Sequence, residues 1–519
     1  MKFTPTSHTA QPTVNYMGGK AYTLQVEMEL YTTVVSAMLH DSYYEKADAR
    51  LERIKALIPK VDPLFVAKLA VYVREQMYLR SVPVVLLGEL AKVHQGDSLV
   101  SRTVERVVQR PDEIMELLAY YQLTNERKET KKLGKLSKQI QKGLAKSFNK
   151  FDAYQFAKYN RDTVVRLRDA LFLVHPMPKD DAQQEIFTQI ASDTLPVPYT
   201  WETELSQLGQ QSFASEQEKQ QVKALKWEEL VLSGKLGYMA LLRNLRNILT
   251  QGTDHALTEA LKQIASEDKV KRSKQLPFRF LSAYTEIEAV ANETNKAKIK
   301  ATQEALEKAV RYSCNNIPVS KGKTLILSDN SGSMFGDMGG KSVVSAMSRR
   351  ATADIANLFA VLYWAQSEDT EIGLFGDKLV FPELKRNASV FENFASINNA
   401  ARTCGPSTEQ GIFNMIEKML SEKIIVDRIV IFSDCQIGAR CNWYDHKRRV
   451  GSDFGKLFNE YKKLNPNVVT YSVDLKGYGN TLFEDGVMTV AGWSEKIFDM
   501  MVAMEEKESV LSVIDKIEI

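Results

Sequence analysis

The chain has 519 residues, more than one ordinary hydrophobic core holds, and this length points to two or three domains. It is 44% apolar and 26% charged, the composition of a folded protein, and no apolar run reaches the roughly 18 residues that suggest a membrane span. The formal net charge of +3 is unevenly placed: residues 1–320 carry 45 Lys and Arg against 38 Asp and Glu, and residues 321–519 carry 23 against 27. The basic part is therefore the one expected to meet a polyanion.

The opening MKFTPTSHTAQPTVNYMGGK lacks the apolar core of a signal peptide and reads as a leader over residues 1–20. From 21 to 316 one amphipathic segment follows another. LQVEMELYTTVVSAML (24–39), DARLERIKALI (48–58), FVAKLAVYVREQMYL (65–79) and VPVVLLGELAKV (82–93) repeat apolar residues at helical spacing. So do SLVSRTVERVVQR (98–110), EIMELLAYYQL (113–123), VVRLRDALFLV (164–174), YMALLRNLRNIL (238–249), FRFLSAYTEIEAVA (278–291) and a long segment near 296–314. Pro63 and Pro111 fall where helices begin, since a first-turn residue needs no N–H donor. Short links predict antiparallel helix pairs, and stacked pairs predict an irregular, HEAT-like array.

Within this array, RKETKKLGKLSKQIQKGLAKSFNK (127–150) holds nine basic residues and one acidic residue, Glu129. Lys131, Lys135, Lys138, Lys142 and Lys146 recur every three or four positions and line one helical face, with Leu133, Leu136, Ile140 and Leu144 on the other. A charge run is ordinarily a solvated helix face, but a basic stripe on an apolar back also suits phosphate binding. Aromatic residues do not interleave with these lysines, so this is not a base-stacking platform of the RRM kind.

After Ile317 the pattern changes. KTLILSD (323–329), TEIGLFG (370–376), RIVIFSD (428–434) and NVVTYSVD (467–474) are short apolar runs that end in small or acidic residues. They alternate with helical stretches at 342–366, 409–423 and 453–464. Apolar strands alternating with helices predict a parallel sheet covered on both faces, with its ligand site beyond the carboxyl ends of the strands. The four cysteines, Cys314, Cys404, Cys435 and Cys441, form no CxxC pair and read as reduced intracellular thiols. Cys435, Cys441 and His446 do not match a common zinc spacing.

One strand end carries two competing motifs. Gly336-Asp337-Met338-Gly339-Gly340-Lys341-Ser342 resembles a P-loop, and Asp434 has the place of a Walker-B aspartate, so an NTPase is one reading. Against it, the strand ends in Asp329, whose charge repels phosphate, and Gly336 is one residue late for the spacing. The other reading is a hard-cation site. Asp329, Ser331 and Ser333 alternate on a turn around Gly332, Asp434 ends a second strand, and the loop TCGPST (403–408) offers a hydroxyl. Together they supply oxygen ligands for Mg²⁺ or Mn²⁺. No general base or nucleophile accompanies them, which points to a binding device rather than an enzyme.

Asp329-x-Ser331-x-Ser333, a later threonine and Asp434 resemble the metal-ion-dependent adhesion site of von Willebrand factor A domains. By position Thr408 matches the family's threonine best, with Thr403 second. The resemblance covers about residues 317–519 and implies a divalent cation with an open position for a partner's acidic residue. KYNRDTVVRLRDALFLVHPMP (158–178), WEELVLSGKLGYMALLRNLRNIL (227–249) and RSKQLPFRFLSAY (272–284) resemble signature stretches of the TROVE module of Ro ribonucleoproteins. That resemblance implies a helical ring over 21–316, closed by the A domain. It further implies small structured Y-like RNAs on the outer surface and 3′ ends of misfolded RNAs in the central hole. Lys158, Arg161 and His175 match RNA-contacting positions of the family, although Asp162 stands where the family has a basic residue. Arg243, Arg272, Lys274 and Arg279, in the other two stretches, are candidates for single-stranded ends. The implied role is cytoplasmic RNA quality control beside a 3′-to-5′ exoribonuclease, with no DNA or membrane partner expected. The competing reading is a metal-dependent protein-binding adaptor on a helical scaffold.

Overall fold

The computed structural model describes residues 9–37, 42–124, 136–317, 322–336, 342–344, 348, 350–438 and 453–519. Val26–Val35, Ala47–Leu57, Pro63–Glu75, Ser81–Val93, Leu99–Val107 and Pro111–Thr124 are the first six α-helices, and the array continues to Lys296–Ser313. Pro63 stands in the first turn behind Asp62, whose carboxylate accepts from Leu64 N at 2.8 Å. Most helices pack on neighbours one or two places along the chain, as a stacked array requires. The Lys138–Phe148 helix lies so close to Leu99–Val107 that a Cβ on Gly143 would be 2.6 Å from Ser101 O.

Nine strands are present among the described residues: Pro12–Val14 (β1), Lys20–Thr23 (β2), Thr324–Asp329 (β3), Thr370–Phe375 (β4), Leu379–Val380 (β5), Arg428–Ser433 (β6), Val469–Asp474 (β7), Asn480–Thr481 (β8) and Met488–Ala491 (β9). Six of them form one sheet in the order β5-β4-β3-β6-β7-β9, parallel except for β5. The chain leaves β3 for β4 on one side and later returns to β6 on the other. The carboxyl ends of β3 and β6 therefore flank a topological switch point, where α/β sheets place their ligand sites. Side chains alternate along these strands. Ile326, Val430, Phe432, Tyr471 and Val473 join a core continuous with that of the helical array. Leu325, Leu327, Ile429 and Ile431 face a second core beneath the helices Gln410–Ser421 and Phe454–Leu464.

The sheet domain touches both ends of the array. On the N-terminal side, Lys68 Nζ pairs with Asp515 at 2.7 Å and Arg53 Nη2 donates to Gly477 O at 2.6 Å. On the other side, Tyr284 stacks on Phe391 with centroids 4.3 Å apart, and Val390 N donates to Glu307 Oε1 at 2.9 Å. Lys274 Nζ lies 5.3 Å from the Tyr78 ring centroid.

Two expectations change. The stretch read as a leader contains β1 and part of β2, a hairpin whose second strand pairs with β8 in a separate three-stranded sheet. Its pairing partner lies more than 400 residues away, so no local pattern announces it. The helix expected over 342–366 begins only at Thr352. Before it, Val344 N donates to Arg350 O and Thr352 N to Ser342 O, both at 2.9 Å, while Arg350 reaches Leu281 O at 3.1 Å. These contacts give Ser342, Val344 and Arg350 non-helical partners ahead of Thr352.

Candidate functional site

At the switch point Asp329 ends β3 and Asp434 follows β6. Asp329 Oδ1 accepts from Ser331 N at 2.9 Å, and its Oδ2 accepts from Ser433 Oγ at 2.6 Å. The Ser331 and Ser333 hydroxyls are 3.3 Å apart, and the Ser333 hydroxyl lies beside Asp434. Asp434 Oδ1 accepts from Gln436 N at 3.0 Å, whereas its Oδ2 is buried with no hydrogen-bond partner among the described residues. Four of the five expected metal residues, Asp329, Ser331, Ser333 and Asp434, are thus gathered and buried. Thr408 belongs to the adjoining loop, where Pro406 O accepts from Gly332 N at 2.9 Å, but its hydroxyl donates to Asp377 Oδ1 at 2.8 Å. Thr403 is exposed and donates to Ala400 O at 2.7 Å.

Sequence reasoning missed four neighbours. Glu409, next to Thr408, is buried and its Oε2 accepts from Gly438 N at 3.0 Å. Asp474 ends β7 and Lys476 follows it, both buried. The Tyr44 hydroxyl lies beside Ser333. A third strand-end acid in NVVTYSVD was a usable signal for Asp474, but nothing local marks Tyr44. It arrives with the N-terminal segment, where Tyr16, Tyr44 and Tyr478 pack with ring centroids 5.3–5.6 Å apart. Asn15 Nδ2 donates to Ile437 O and Tyr16 N to Gln436 Oε1, both at 2.8 Å, so this segment covers the loop after Asp434.

The electrostatics follow from enclosing several acids together. Burial, and after it the charge of Asp434, pushes the Asp329 carboxyl up to about 7. Burial and then Asp329 push Glu409 up to about 8. Burial also raises Asp434 and takes Asp474 to about 6. The Lys476 ammonium is lowered to about 8, again by burial, with Asp434 opposing. Among the described residues no three His, Cys, Asp and Glu side chains form a metal cluster. A cation here would rely on two carboxylates and on hydroxyls. The orphaned Asp434 Oδ2 and the mutually repelling acids fit a hard divalent ion of that kind. Of the P-loop-like stretch, Asp337 to Lys341 lie outside the described residues, as do Cys441 and His446.

The basic residues fall in two places. Lys138, Lys142 and Lys146 are exposed on the Lys138–Phe148 helix, while Ile140 and Leu144 are buried. Lys131 and Lys135 lie outside the described residues. Gln141 Nε2 donates to Leu173 O at 3.1 Å and Asn149 Nδ2 to Met177 O at 2.8 Å, which ties this helix to the segment bearing His175. His175 is exposed in a left-handed conformation at the end of Leu167–Val174, and Lys158 and Arg161 are exposed nearby in the chain. Lys146 pairs with Glu105 at 2.9 Å, a half-exposed contact worth little. In the second place, Arg243 and Arg279 line one cleft between the helices Tyr238–Gln251 and Phe278–Glu288. Arg272, which donates to Asp268 O at 3.3 Å, and Lys274, against Tyr78, do not line it.

A family model, the TROVE domain, matches residues 17–195 and 192–327. Telomerase protein component 1 of Rattus norvegicus and that of Mus musculus are each 25% identical over 348 residues, which is 50% of this chain and 13% of theirs. The chain therefore spans a small part of those relatives. The crystal structure of the Deinococcus radiodurans RO (RSR) protein superimposes with a TM-score of 0.55 at 14% identity, over 91% of this chain and 99% of that one. At that identity the likeness is one of fold. No helix among the described residues is long and apolar enough to cross a membrane.

Proposed function

The chain belongs to the TROVE domain family, and from that premise we propose that it is an RNA-binding ribonucleoprotein component. Its ligands are small structured Y-like RNA and the 3′ ends of misfolded RNA, and its setting is RNA quality control beside a 3′-to-5′ exoribonuclease. The observation that carries this reading is the cationic surface built from Lys138, Lys142 and Lys146 on a helix bonded to the His175 segment. Exposed ammonium groups on a rigid helix neutralise phosphates and release counterions, and they read the RNA backbone rather than its sequence. Lys158, Arg161 and His175 extend the surface. The contacts of the sheet domain with both ends of the array support a closed ring. Residues 317–519 form a von Willebrand factor A-like domain in this reading. Asp329, Ser331, Ser333 and Asp434 hold one Mg²⁺ or Mn²⁺ there, directly or through water, and Thr408 turns from Asp377 to join them. The cation supplies the positive charge that the enclosed acids lack.

The test is binding of a hairpin RNA over a range of KCl concentrations. Affinity falls steeply with salt, with a log–log slope on the order of −0.7 to −0.9 per phosphate contacted. Replacing Lys138, Lys142 and Lys146 together by Ala weakens binding across unrelated hairpins and removes up to about three contacts' worth of slope. A triple variant that binds as the wild type does, with an unchanged slope, would falsify the reading and leave the metal-dependent adaptor in its place.

A further inference from the structure

The resemblance of Asp329-x-Ser331-x-Ser333 to an adhesion site implies a position left open for a partner's acid. Yet none of Asp329, Ser331, Ser333, Asp434 and Glu409 is more than 5% exposed. Part of what covers them is the chain's own N-terminal segment. Asn15 and Tyr16 are bonded to Ile437 and Gln436, just past Asp434. Tyr44 stacks on Tyr16 with centroids 5.3 Å apart and ring planes 2° from parallel. It meets Tyr478 edge-on at 5.6 Å, and its backbone N–H donates to Tyr478 Oη at 3.3 Å. Glu45, the next residue, is clamped by Arg50 at 2.7 Å and Arg53 at 2.9 Å. The Tyr44 ring is thus held from several sides. Its hydroxyl reaches Ser333, with the Asp434 and Glu409 carboxylates close enough to act on it.

Two carboxylates balance one divalent cation, so a third from outside brings excess negative charge into a site that has lost its water. A phenol hydroxyl, protonated at neutral pH, brings none. Its oxygen is also the hard donor that Mg²⁺ or Mn²⁺ takes, directly or through water. We infer that Tyr44 caps the cation site: its neutral hydroxyl takes the approach that an outside carboxylate would need, so the chain seals the ion without a partner's acid. This cap rests on the cation reading above and replaces the open position that the resemblance implies.

The experiment follows Mn²⁺ bound to the full chain through the relaxation rate of water protons, which rises with each exchanging water on the ion. Tyr44→Phe keeps the ring stack and removes the oxygen, so a water enters. The rate per bound ion then rises up to about twofold, the gain from one water to two among roughly six ligand positions. Tyr43→Phe, at the exposed neighbour, leaves the rate unchanged. Acetate has no effect on the wild type. In Tyr44→Ala, where the ring is gone, acetate lowers the rate as its carboxylate displaces water. Asp329→Ala assigns the signal to this site by abolishing it. If the wild type binds no Mn²⁺, or binding survives Asp329→Ala, the cation reading falls and the cap with it. If Asp329→Ala abolishes binding but Tyr44→Phe keeps the wild-type rate, the cap alone is overturned. The same holds if acetate lowers the wild-type rate as it does that of Tyr44→Ala.

Discussion

Along the Lys138–Phe148 helix the ammonium groups stand in solvent, whereas at the ends of β3 and β6 the carboxylates are enclosed among serines and tyrosines. In the array, charge is cheap to hold and acts at a distance on a large partner, so its effects scale with salt. In the sheet domain each charge has lost its water, and the acids stay ionised only if a cation replaces it. On the proposed function the same chain separates long-range capture from a short-range, desolvated site, and the two are expected to respond to different reagents: salt at the first, divalent cations and pH at the second.

The contrast is broken most strongly by deleting an enclosed acid. Asp329→Ala removes the carboxylate that anchors both Ser331 N and Ser433 Oγ. Calorimetry is expected to show Mg²⁺ binding to the wild type and none to the variant, with hairpin RNA affinity unchanged. At 100 times its dissociation constant Mg²⁺ stabilises the wild type by about 2.7 kcal/mol and the variant not at all. Equal Mg²⁺ affinity for the two proteins removes the site.

The same enclosure produces a pH effect. The folded-state pKa of Asp329 is raised to about 7 from an ordinary 3.8, so the folded chain binds a proton that the unfolded chain releases. Stability is therefore highest at low pH on this account and declines as pH rises from about 4 to 7. For a shift of this size the loss is on the order of 4 kcal/mol. Glu409, raised to about 8, extends the decline by a further unit. In chelator, melting temperature falls between pH 5.5 and 8; with Mg²⁺ present, the fall is smaller, because the ion replaces the proton. A chelated protein whose melting temperature is flat over that range contradicts this account.

How much of this was legible in the sequence differs between the same two regions. Within the array, the amphipathic periods placed helices such as Pro111–Thr124 and Tyr238–Gln251 to within a few residues, but left Asp181–Ser192 and Asp254–Ile264 unnamed. The four strands that carry continuous apolar runs, β3, β4, β6 and β7, were equally plain. Asp329, Ser331, Ser333 and Asp434 were readable because strand-end acids and an alternating serine turn are local patterns. Glu409, Tyr44 and the β1–β2 hairpin were not. Their roles depend on contacts such as Asn15 with Ile437, across 422 positions, which no window of sequence contains. The pairing of Arg246 with Glu286, which leaves Arg243 and Arg279 together, is likewise a tertiary fact.

The enclosure itself is tested at Gly19. A Cβ at this position would stand 2.1 Å from Ile437 O, so Gly19→Val pushes the β1–β2 hairpin off the loop that follows Asp434. The expected loss of stability is about 2 kcal/mol, the scale of overpacking a tight contact. Because the same segment carries Asn15 and Tyr16 onto that loop, Mg²⁺ association by stopped flow is expected to become faster in the variant. Unchanged association with lowered stability makes the hairpin a structural strap and not a cover.

The smallest effects are expected on the exposed face, and they separate two lysines that look alike in sequence. Lys146 is paired with Glu105 at 2.9 Å, while Lys142, four residues before it, is exposed on the same face with no ion pair among the described residues. Replacing either by Ala changes folding stability by less than about 0.5 kcal/mol, since neither is buried and an exposed pair contributes little. Their effects on RNA are expected to differ. Lys142→Ala removes one full phosphate contact and lowers the salt slope by roughly 0.7–0.9. Lys146→Ala removes a charge already partly neutralised and leaves Glu105 to repel the backbone, so affinity falls while the slope changes less. Glu105→Gln supplies the converse, freeing Lys146 and tightening hairpin binding by about twofold to threefold, a few tenths of a kcal/mol. Equal slopes for the two lysine variants, with no gain from Glu105→Gln, place the RNA backbone away from Lys146 and restrict the contact surface to Lys138, Lys142 and the His175 segment.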